Sequence, residues 1–272
     1  MQVAVEARDM VLRYGSRIAL GPSTFTIPKG AVTAIIGPNG SGKSTVLNAI
    51  AGLVEPTSGS LAVETGGSRV AYVLQSTKVN ETLHVTVREV VTMGRYATTG
   101  PYGRLGVVDR EAVAGAMERM GITALADRHL HELSGGERQR VFVAQGIAQA
   151  HDLLLLDEPL TGLDLTSAQA IDDMIHEEQA AGRSVIMSTH DLAEARAADW
   201  VLLLSGRVVA HGAPGAVLNA SNLAEAYGPS LLHVTDAGGL FLDDPAHQPV
   251  PGRHTHQDRT IHAEPPGADE HG

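Results

Sequence analysis

The chain has 272 residues, of which 43% are hydrophobic and 19% charged, so it is long enough to bury one large core or two modest ones. Its net charge of −11 argues against a general nucleic-acid-binding surface, which needs an excess of basic residues, and we expect no nucleic acid partner. The absence of cysteine excludes disulfides and thiolate metal sites.

The N-terminal region, residues 1 to about 75, alternates short β-type segments with glycine turns. Its first residues include early acids and lack the layout of a signal peptide. No apolar run in the sequence approaches the ~20 residues that a membrane-spanning helix needs. We therefore expect a cytoplasmic location. Residues 31–36 are apolar and β-branched, which predicts a buried strand, and residues 44–53 predict a helix.

A glycine-rich segment lies between that strand and that helix, and it matches the pattern Gly-x-x-x-x-Gly-Lys-Ser/Thr. Such a P-loop points backbone N–H groups at phosphate oxygens, and the following helix N-terminus adds partial positive charge. The sequence therefore predicts a site for a nucleoside triphosphate. The candidate nucleotide-binding residues are Gly37, Pro38, Asn39, Gly40, Ser41, Gly42, Lys43, Ser44 and Thr45.

The middle region, residues about 76 to 150, is predicted to be helical, with helices over residues 109–120 and 134–150. The second helix begins with a distinctive segment that contains two glycines. One interpretation is a capped helix in which Ser134 and Glu137 form a capping box. The other is a second phosphate-binding helix N-terminus, which serves a nucleotide held by another copy of the chain. The segment comprises Leu133, Ser134, Gly135, Gly136 and Glu137.

Residues 151 to about 235 return to alternating strands and helices. The run 152–157 is mostly apolar and ends at Asp157, and Glu158 follows it. These two acidic residues therefore lie where ligands of parallel sheets bind. We expect Asp157 and Ser44 to hold Mg²⁺, and Glu158 to orient the attacking water or accept its proton. Residues 201–204 and 208–209 flank a glycine turn and predict a hairpin.

The segment after about residue 236 is rich in proline, histidine and acidic residues, lacks periodicity and is expected to be disordered. A composition of this kind binds Zn²⁺ loosely, but the spacing matches no defined zinc site. Incidental histidines in a polar tail are therefore the competing interpretation. The candidate zinc ligands are His247, His254, His256 and His262.

The P-loop, the Leu-Ser-Gly-Gly-Glu-Arg-Gln-Arg segment and the apolar run before Asp-Glu-Pro occur in the order found in ATP-binding subunits of ABC transporters. The chain resembles that family over about residues 3 to 235. Four more residues fit its pattern. Tyr14 resembles the aromatic that stacks on adenine, and Gln75 the glutamine that contacts Mg²⁺ and the attacking water. Asp164 lies in a segment resembling the loop that reaches across a dimer, and His190 resembles the histidine at the γ-phosphate.

This resemblance implies an α/β fold with a P-loop NTPase (RecA-like) core, an N-terminal antiparallel β-subdomain and an inserted helical subdomain at about residues 76–150. Residues 1–235 would form the ATP-binding domain and 236–272 the tail. It also implies ATP and Mg²⁺, and a homodimer that sandwiches ATP between the P-loop of one copy and the Ser134 helix of the other. An integral membrane permease would dock at about residues 76–102, placing the ATPase on the inner face of the cell membrane. A periplasmic or extracellular solute-binding protein would complete the system.

The segment 85–96 is similar to the matching segment of ATPases that drive zinc and manganese import, and also of those for iron chelates and cobalamin. We favour zinc or manganese, with zinc first. A non-transport ABC ATPase is the alternative class, but the 91 residues between Lys43 and Ser134 leave no room for the coiled coil of DNA-repair relatives. An exporter subunit shares the ATPase motifs, so the direction of transport stays open here.

Overall fold

The computed structural model describes residues 2–64, 69–75, 84–100, 103–228, 232–234 and 240–242. The histidines proposed as zinc ligands in the tail lie outside these residues, as do residues 76–83 and 101–102 of the predicted permease contact. Within the described part of the chain, no helix is long and apolar enough to cross a membrane.

The N-terminal sheet is antiparallel and has the strand order β2-β1-β4, formed by β1 (Val3–Tyr14), β2 (Arg17–Pro28) and β4 (Ser58–Val63). Its inner face carries fully buried residues such as Met10, Phe25 and Ile27. These pack in one core with α1 (Lys43–Ile50) and with one face of the central sheet. The N-terminal sheet therefore covers the helix that follows the P-loop.

The central sheet has six strands in the order β5-β6-β7-β3-β8-β9, and all neighbouring pairs are parallel except β8 with β9. Successive residues of a strand face opposite sides, so Ile35 joins the core under the N-terminal sheet while Ala34 and Ile36 join a second core. Both faces are buried, which explains the near-continuous apolar runs. The strands are β3 (Val32–Ile36), β5 (Arg69–Val73), β6 (His151–Asp157), β7 (Ser184–Thr189), β8 (Trp200–Leu204) and β9 (Val208–Gly212).

The second core contains the helices between β5 and β6, which pack through residues such as Val90, Met117 and Val141. The predicted helix over residues 109–120 is α4 (Val107–Arg119), and the one over 134–150 is α5 (Gly135–Ile147). Two shorter helices precede them, α2 (Val87–Met93) and α3 (Tyr96–Thr99). Single 3₁₀ turns occur at Thr123–Leu125 and Leu130–Glu132.

The helices after β6 are α6 (Leu165–Ala180), α7 (Leu192–Ala197), α8 (Pro214–Val217) and α9 (Ala220–Tyr227). The predicted hairpin is the antiparallel pair of β8 and β9. A two-stranded sheet of β10 (Leu232–Val234) and β11 (Leu240–Leu242) follows. The predicted architecture, an antiparallel sheet beside a parallel sheet with helices, is confirmed.

A buried ionic cluster joins α4 to the central sheet. Glu178, on α6, is fully buried and accepts hydrogen bonds from Arg119 on α4 (2.7 Å), from His151 at the start of β6 (2.8 Å) and from Arg183 before β7. Burial alone would raise the pKa of Glu178, but the hydrogen bonds from His151, Arg183 and Arg119 hold that pKa well below its usual range. The carboxylate therefore stays ionised inside the protein.

Candidate functional site

The P-loop leaves β3 at Ile36 and ends at Gly42, the N-cap of α1. A side chain at Gly37 would lie 2.2 Å from the carbonyl oxygen of Leu204, and one at Gly42 would lie 2.9 Å from that of Ala19. Gly42 also has a φ of 106°, in the left-handed region. Glycine at these two positions therefore lets the loop lie directly against neighbouring backbone.

The P-loop lysine points back into the loop. Lys43 is 6% exposed, and its Nζ donates to the carbonyl oxygen of Gly37 at 2.9 Å. Burial lowers the pKa of Lys43, whereas the carboxylates of Glu158 and Asp157 act in the opposite direction. The buried hydroxyl of Ser41 has no hydrogen-bond partner among the described residues. The loop therefore holds an ammonium and a hydroxyl beside its exposed tip.

The remaining P-loop positions surround that tip. Asn39, Gly40 and Ser44 are exposed, and Pro38 and Thr45 are half-buried. Ser44 lies in the first turn of α1, where the helix N-terminus adds partial positive charge. The loop tip therefore offers backbone N–H groups, a hydroxyl and a helix terminus toward solvent, which is a suitable set for an anionic ligand.

Three predicted site residues come together at the edge of the sheet beside the P-loop. Strands β5, β6, β7 and β3 are parallel neighbours, so their carboxyl ends lie at the same edge of the sheet. Gln75, Glu158, His190 and the P-loop come just after these ends. The Nε2 of Gln75 donates to Oε2 of Glu158 at 3.0 Å. The Nδ1 of His190 lies 3.8 Å from the same oxygen. One carboxylate oxygen thus joins the ends of three strands.

Asp157 and Glu158 differ in exposure and in backbone conformation. Asp157 is 8% exposed, and its Oδ1 accepts a hydrogen bond from the Ser188 hydroxyl. Glu158 is half-buried and has a φ of 47°, an uncommon value for a residue with a Cβ. Its side chain also accepts a hydrogen bond of 3.4 Å from the hydroxyl of Thr161.

The Leu-Ser-Gly-Gly-Glu segment forms the capped start of α5. Ser134 is the N-cap: its hydroxyl accepts from the Glu137 amide, and Glu137 Oε2 accepts from the Ser134 amide at 2.8 Å. These bonds lower the pKa of Glu137. Leu133 is buried, whereas Ser134 and Gly135 are exposed. The capping box is therefore present, and it leaves the start of the helix open to solvent.

Gly136 lies against the loop before α6. A side chain at Gly136 would lie 2.4 Å from Oδ2 of Asp164 and 2.5 Å from Oγ of Ser167. Asp164 is the exposed N-cap of α6, and its carboxylate accepts from the amide and the hydroxyl of Ser167. The structure thus brings Gly136 and Asp164 together within one chain. This contact was not predictable from the sequence, because the two residues belong to separate elements.

The predicted adenine-stacking residue, Tyr14, lies at the end of a strand. Tyr14 ends β1 and is 50% exposed, so its ring is available to a ligand.

Ser188 was not singled out from the sequence, although it lies within the Ser-Thr-His-Asp segment. Its contacts depend on the register between β6 and β7, in which Asp157 lies opposite Ser188. Its role was therefore not predictable from the sequence, because the register of β6 with β7 is visible only in the structure.

Several known proteins are similar to this chain over most of its length. The family model described as ABC transporter matches residues 20–161, just over half of the chain. The zinc transport system ATP-binding protein TroB of Treponema pallidum is 39% identical over 83% of this chain and 87% of its own length. The manganese transport system ATP-binding protein MntA of a Synechocystis strain is 36% identical over 78% of this chain and 85% of its own.

A chelated iron transport system protein of Yersinia pestis, YfeB, is 35% identical over 83% of this chain and 79% of its own length. Among solved structures, an ATP-binding subunit of an ABC transporter has a TM-score of 0.69 and 27% identity, and the alignment covers 82% of this chain and 98% of that one. The matches at more than 30% identity over most of both chains show the family. The chain therefore belongs to the ATP-binding subunits of ABC transporters, and it is an ATPase.

Proposed function

We propose that this chain is the ATPase subunit that powers the import of a metal ion, zinc or manganese, through a separate membrane permease. The observation that carries the ATPase site is the convergence of Gln75 and His190 on one oxygen of Glu158, beside the P-loop. The metal cargo is supported by relatives named for zinc and for manganese transport at 39% and 36% identity.

ATP is the proposed substrate, and the residues of the loop fit its phosphates. The buried hydroxyl of Ser41, which lacks a hydrogen-bond partner among the described residues, would gain a phosphate oxygen as its partner. The ammonium of Lys43 donates to the carbonyl oxygens of Gly37 and Pro38 and would exchange them for phosphate oxygens. The helix N-terminus at Ser44 adds partial positive charge. Tyr14 would stack on the adenine. Pro38, Asn39, Gly40 and Thr45 shape the loop around the phosphates.

Mg²⁺ is proposed to accompany the nucleotide. Its ligands would be the Ser44 hydroxyl, the Gln75 side-chain oxygen and the Asp157 carboxylate, which are the oxygen donors that Mg²⁺ prefers. The metal supplies charge neutralisation at the β- and γ-phosphates when it is bound. Ser188 already engages Oδ1 of Asp157, which fixes the direction of the carboxylate.

Glu158 is the proposed catalytic carboxylate. It would orient the attacking water or accept its proton, while Gln75 holds the carboxylate from one side and His190 contacts the γ-phosphate from the other. The Nζ of Lys43 would exchange its bond to Gly37 for one to the phosphates, where a positive charge stabilises the transferred group. These are positioning and charge roles, and phosphoryl transfer needs little else from a protein.

Two copies of the chain are proposed to share each nucleotide. The exposed start of α5, with Ser134 and Gly135, would bind the γ-phosphate held by the P-loop of the other copy. Asp164, which lies against Gly136, would face the other copy at the same junction. Hydrolysis removes the charge that the helix N-terminus binds, so the dimer closes with ATP and opens after hydrolysis.

The permease is proposed to dock on the helical region near residues 76–102. Among the described residues of that stretch, Met93 and Tyr96 are each 41% exposed, which is high for large apolar side chains. Docking there would hold the chain at the cytoplasmic face of the membrane. A solute-binding protein would deliver the metal ion to the permease from the other side.

The cargo is tested by growth of a deletion strain under limiting Zn²⁺, Mn²⁺ or Fe³⁺-chelate, complemented with the wild-type chain or with Glu158→Gln. We expect the wild type to restore growth under zinc or manganese limitation, and Glu158→Gln not to. Rescue confined to Fe³⁺-chelate would instead support the iron-chelate alternative, which the relative named for chelated iron transport favours. Unimpaired growth of the deletion strain under all three limitations would contradict a metal cargo.

A further inference from the structure

The side chain of Ser188 joins two acidic residues of the proposed catalytic site. Ser188 lies on β7, is fully buried, and stands opposite Asp157 in the register of β6 with β7. Its hydroxyl lies 2.5 Å from Oδ1 of Asp157 and 2.9 Å from the backbone nitrogen of Glu158. One oxygen atom on a neighbouring strand thus contacts both residues.

The chemistry of these partners fixes the direction of each hydrogen bond. The Glu158 N–H is a donor, so the Ser188 oxygen accepts from it. An ionised carboxylate is an acceptor, so the single hydrogen of the hydroxyl is directed at Asp157. A group in this place must donate and accept at once. Among side chains of this size, serine and threonine do so well and cysteine does so weakly.

The backbone of Glu158 needs such support. Its φ of 47° lies in the left-handed region, which is disfavoured for a residue with a Cβ and persists where surrounding contacts hold it. Pro159 follows it and disfavours the right-handed helical region for Glu158. The hydrogen bond from the Glu158 amide to Ser188 holds the chain at the point where it turns. That turn directs the Glu158 side chain toward Gln75.

We propose that Ser188 is a positioning residue for ATP hydrolysis, because its hydroxyl holds the Asp157 carboxylate and the Glu158 backbone in one fixed arrangement. This inference rests on the proposed roles of Asp157 in binding Mg²⁺ and of Glu158 in catalysis. Ser188 itself is fully buried, so we do not expect it to contact the nucleotide directly. Its removal should therefore affect turnover and Mg²⁺ dependence more than ATP binding.

The chain provides a matched control at the other end of the same strand. Ser184 is 2% exposed, and its hydroxyl accepts a hydrogen bond of 2.9 Å from the Gly30 amide. Ser184→Ala and Ser188→Ala each remove one buried hydroxyl group from β7. If the hydroxyls serve only to stabilise the fold, the two substitutions should have similar effects on turnover.

The experiment measures Mg²⁺-ATPase kinetics and thermal unfolding for the wild type, Ser188→Ala, Ser188→Thr and Ser184→Ala. We expect Ser188→Ala to lower kcat about 10- to 100-fold, as the loss of a buried hydrogen bond to a charged group warrants, with the KM for ATP changed less than about threefold. The Mg²⁺ concentration for half-maximal rate should rise. Ser188→Thr should recover most of kcat, and Ser184→Ala should stay within about twofold of the wild type.

A kcat for Ser188→Ala within about twofold of Ser184→Ala would overturn the proposal. If Ser188→Ala does not fold, Ser188→Cys takes its place, because a thiol donates and accepts weakly, and an unchanged kcat would equally overturn it. Absence of ATPase activity in the wild type, or normal activity in Glu158→Gln, would contradict the proposed function itself. An active wild type, an inactive Glu158→Gln and an unaffected Ser188→Ala would refute the positioning role alone.

Discussion

Replacing Gly136 with alanine should disrupt the junction between α5 and the loop before α6. A Cβ at this position would lie 2.4 Å from Oδ2 of Asp164, 2.5 Å from Oγ of Ser167 and 3.0 Å from Cβ of Ser167. None of these distances allows a methyl group, so the Asp164 carboxylate and the Ser167 hydroxyl have to move and lose their present hydrogen bonds. The neighbouring Gly135 provides the control, because a Cβ there has no atom within 4 Å.

The magnitude follows from what the methyl group displaces. Moving Asp164 removes the N-cap interactions with Ser167, which are worth about 1 kcal/mol, and overpacking a buried junction costs about 1–3 kcal/mol more. Alanine in place of glycine in a helix returns about 0.5–1 kcal/mol. We therefore expect Gly136→Ala to lower the free energy of unfolding by about 1–3 kcal/mol, and Gly135→Ala to leave it unchanged or raise it slightly.

The assay is urea unfolding at neutral pH, followed by circular dichroism, with both variants and the wild type measured side by side. A lower midpoint at an unchanged slope for Gly136→Ala would show a loss of stability without a change in the denatured state. If Gly136→Ala is as stable as Gly135→Ala, the close contact between Gly136 and Asp164 does not constrain this junction.

Two further predictions concern the ionic cluster around Glu178. Glu178→Gln should lower the free energy of unfolding by about 3 kcal/mol, because it leaves Arg119, Arg183 and His151 around a neutral amide inside the protein. Glu177→Gln, which removes an exposed pair with the same Arg119, should cost less than about 1 kcal/mol, and equal effects in thermal unfolding would contradict this view. The second prediction concerns pH. Since the pKa of Glu178 is lowered in the folded state from an ordinary 4.5, its contribution is present above about pH 4.5 and is lost as the pH falls below it. The difference in stability between wild type and Glu178→Gln should therefore shrink between pH 7 and pH 3.5, and a constant difference would refute the assignment.

Much of the candidate site was predictable because it depends on local patterns. The P-loop is set by glycine spacing between a strand and a helix, and both elements are present as β3 and α1. Asp157 and Glu158 follow an apolar run that is β6, so their place at the end of a parallel strand followed from the sequence. Each of these inferences needed only neighbouring residues.

The contacts that the sequence did not predict join residues that are distant along the chain. The Ser188 hydroxyl donates a hydrogen bond to Asp157, which lies 31 positions earlier in the chain. This contact depends on which strands are neighbours and on their register. In the sequence, Glu178 looks like an ordinary charged residue on the solvated face of a helix. Its hydrogen-bond partners His151 and Arg119 lie 27 and 59 positions away along the chain. Periodicity carries no information about such pairs, because tertiary packing decides them.

The role of Glu158 is tested by the steady-state Mg²⁺-ATPase rate of the purified chain, wild type against Glu158→Gln, together with ATP binding and the oligomeric state of both. We expect the wild type to hydrolyse ATP, and Glu158→Gln to bind ATP, accumulate as an ATP-bound dimer and turn over at least about 100-fold more slowly. A Glu158→Gln variant with the turnover of the wild type would show that this carboxylate, which lies between Gln75 and His190, is not needed for hydrolysis.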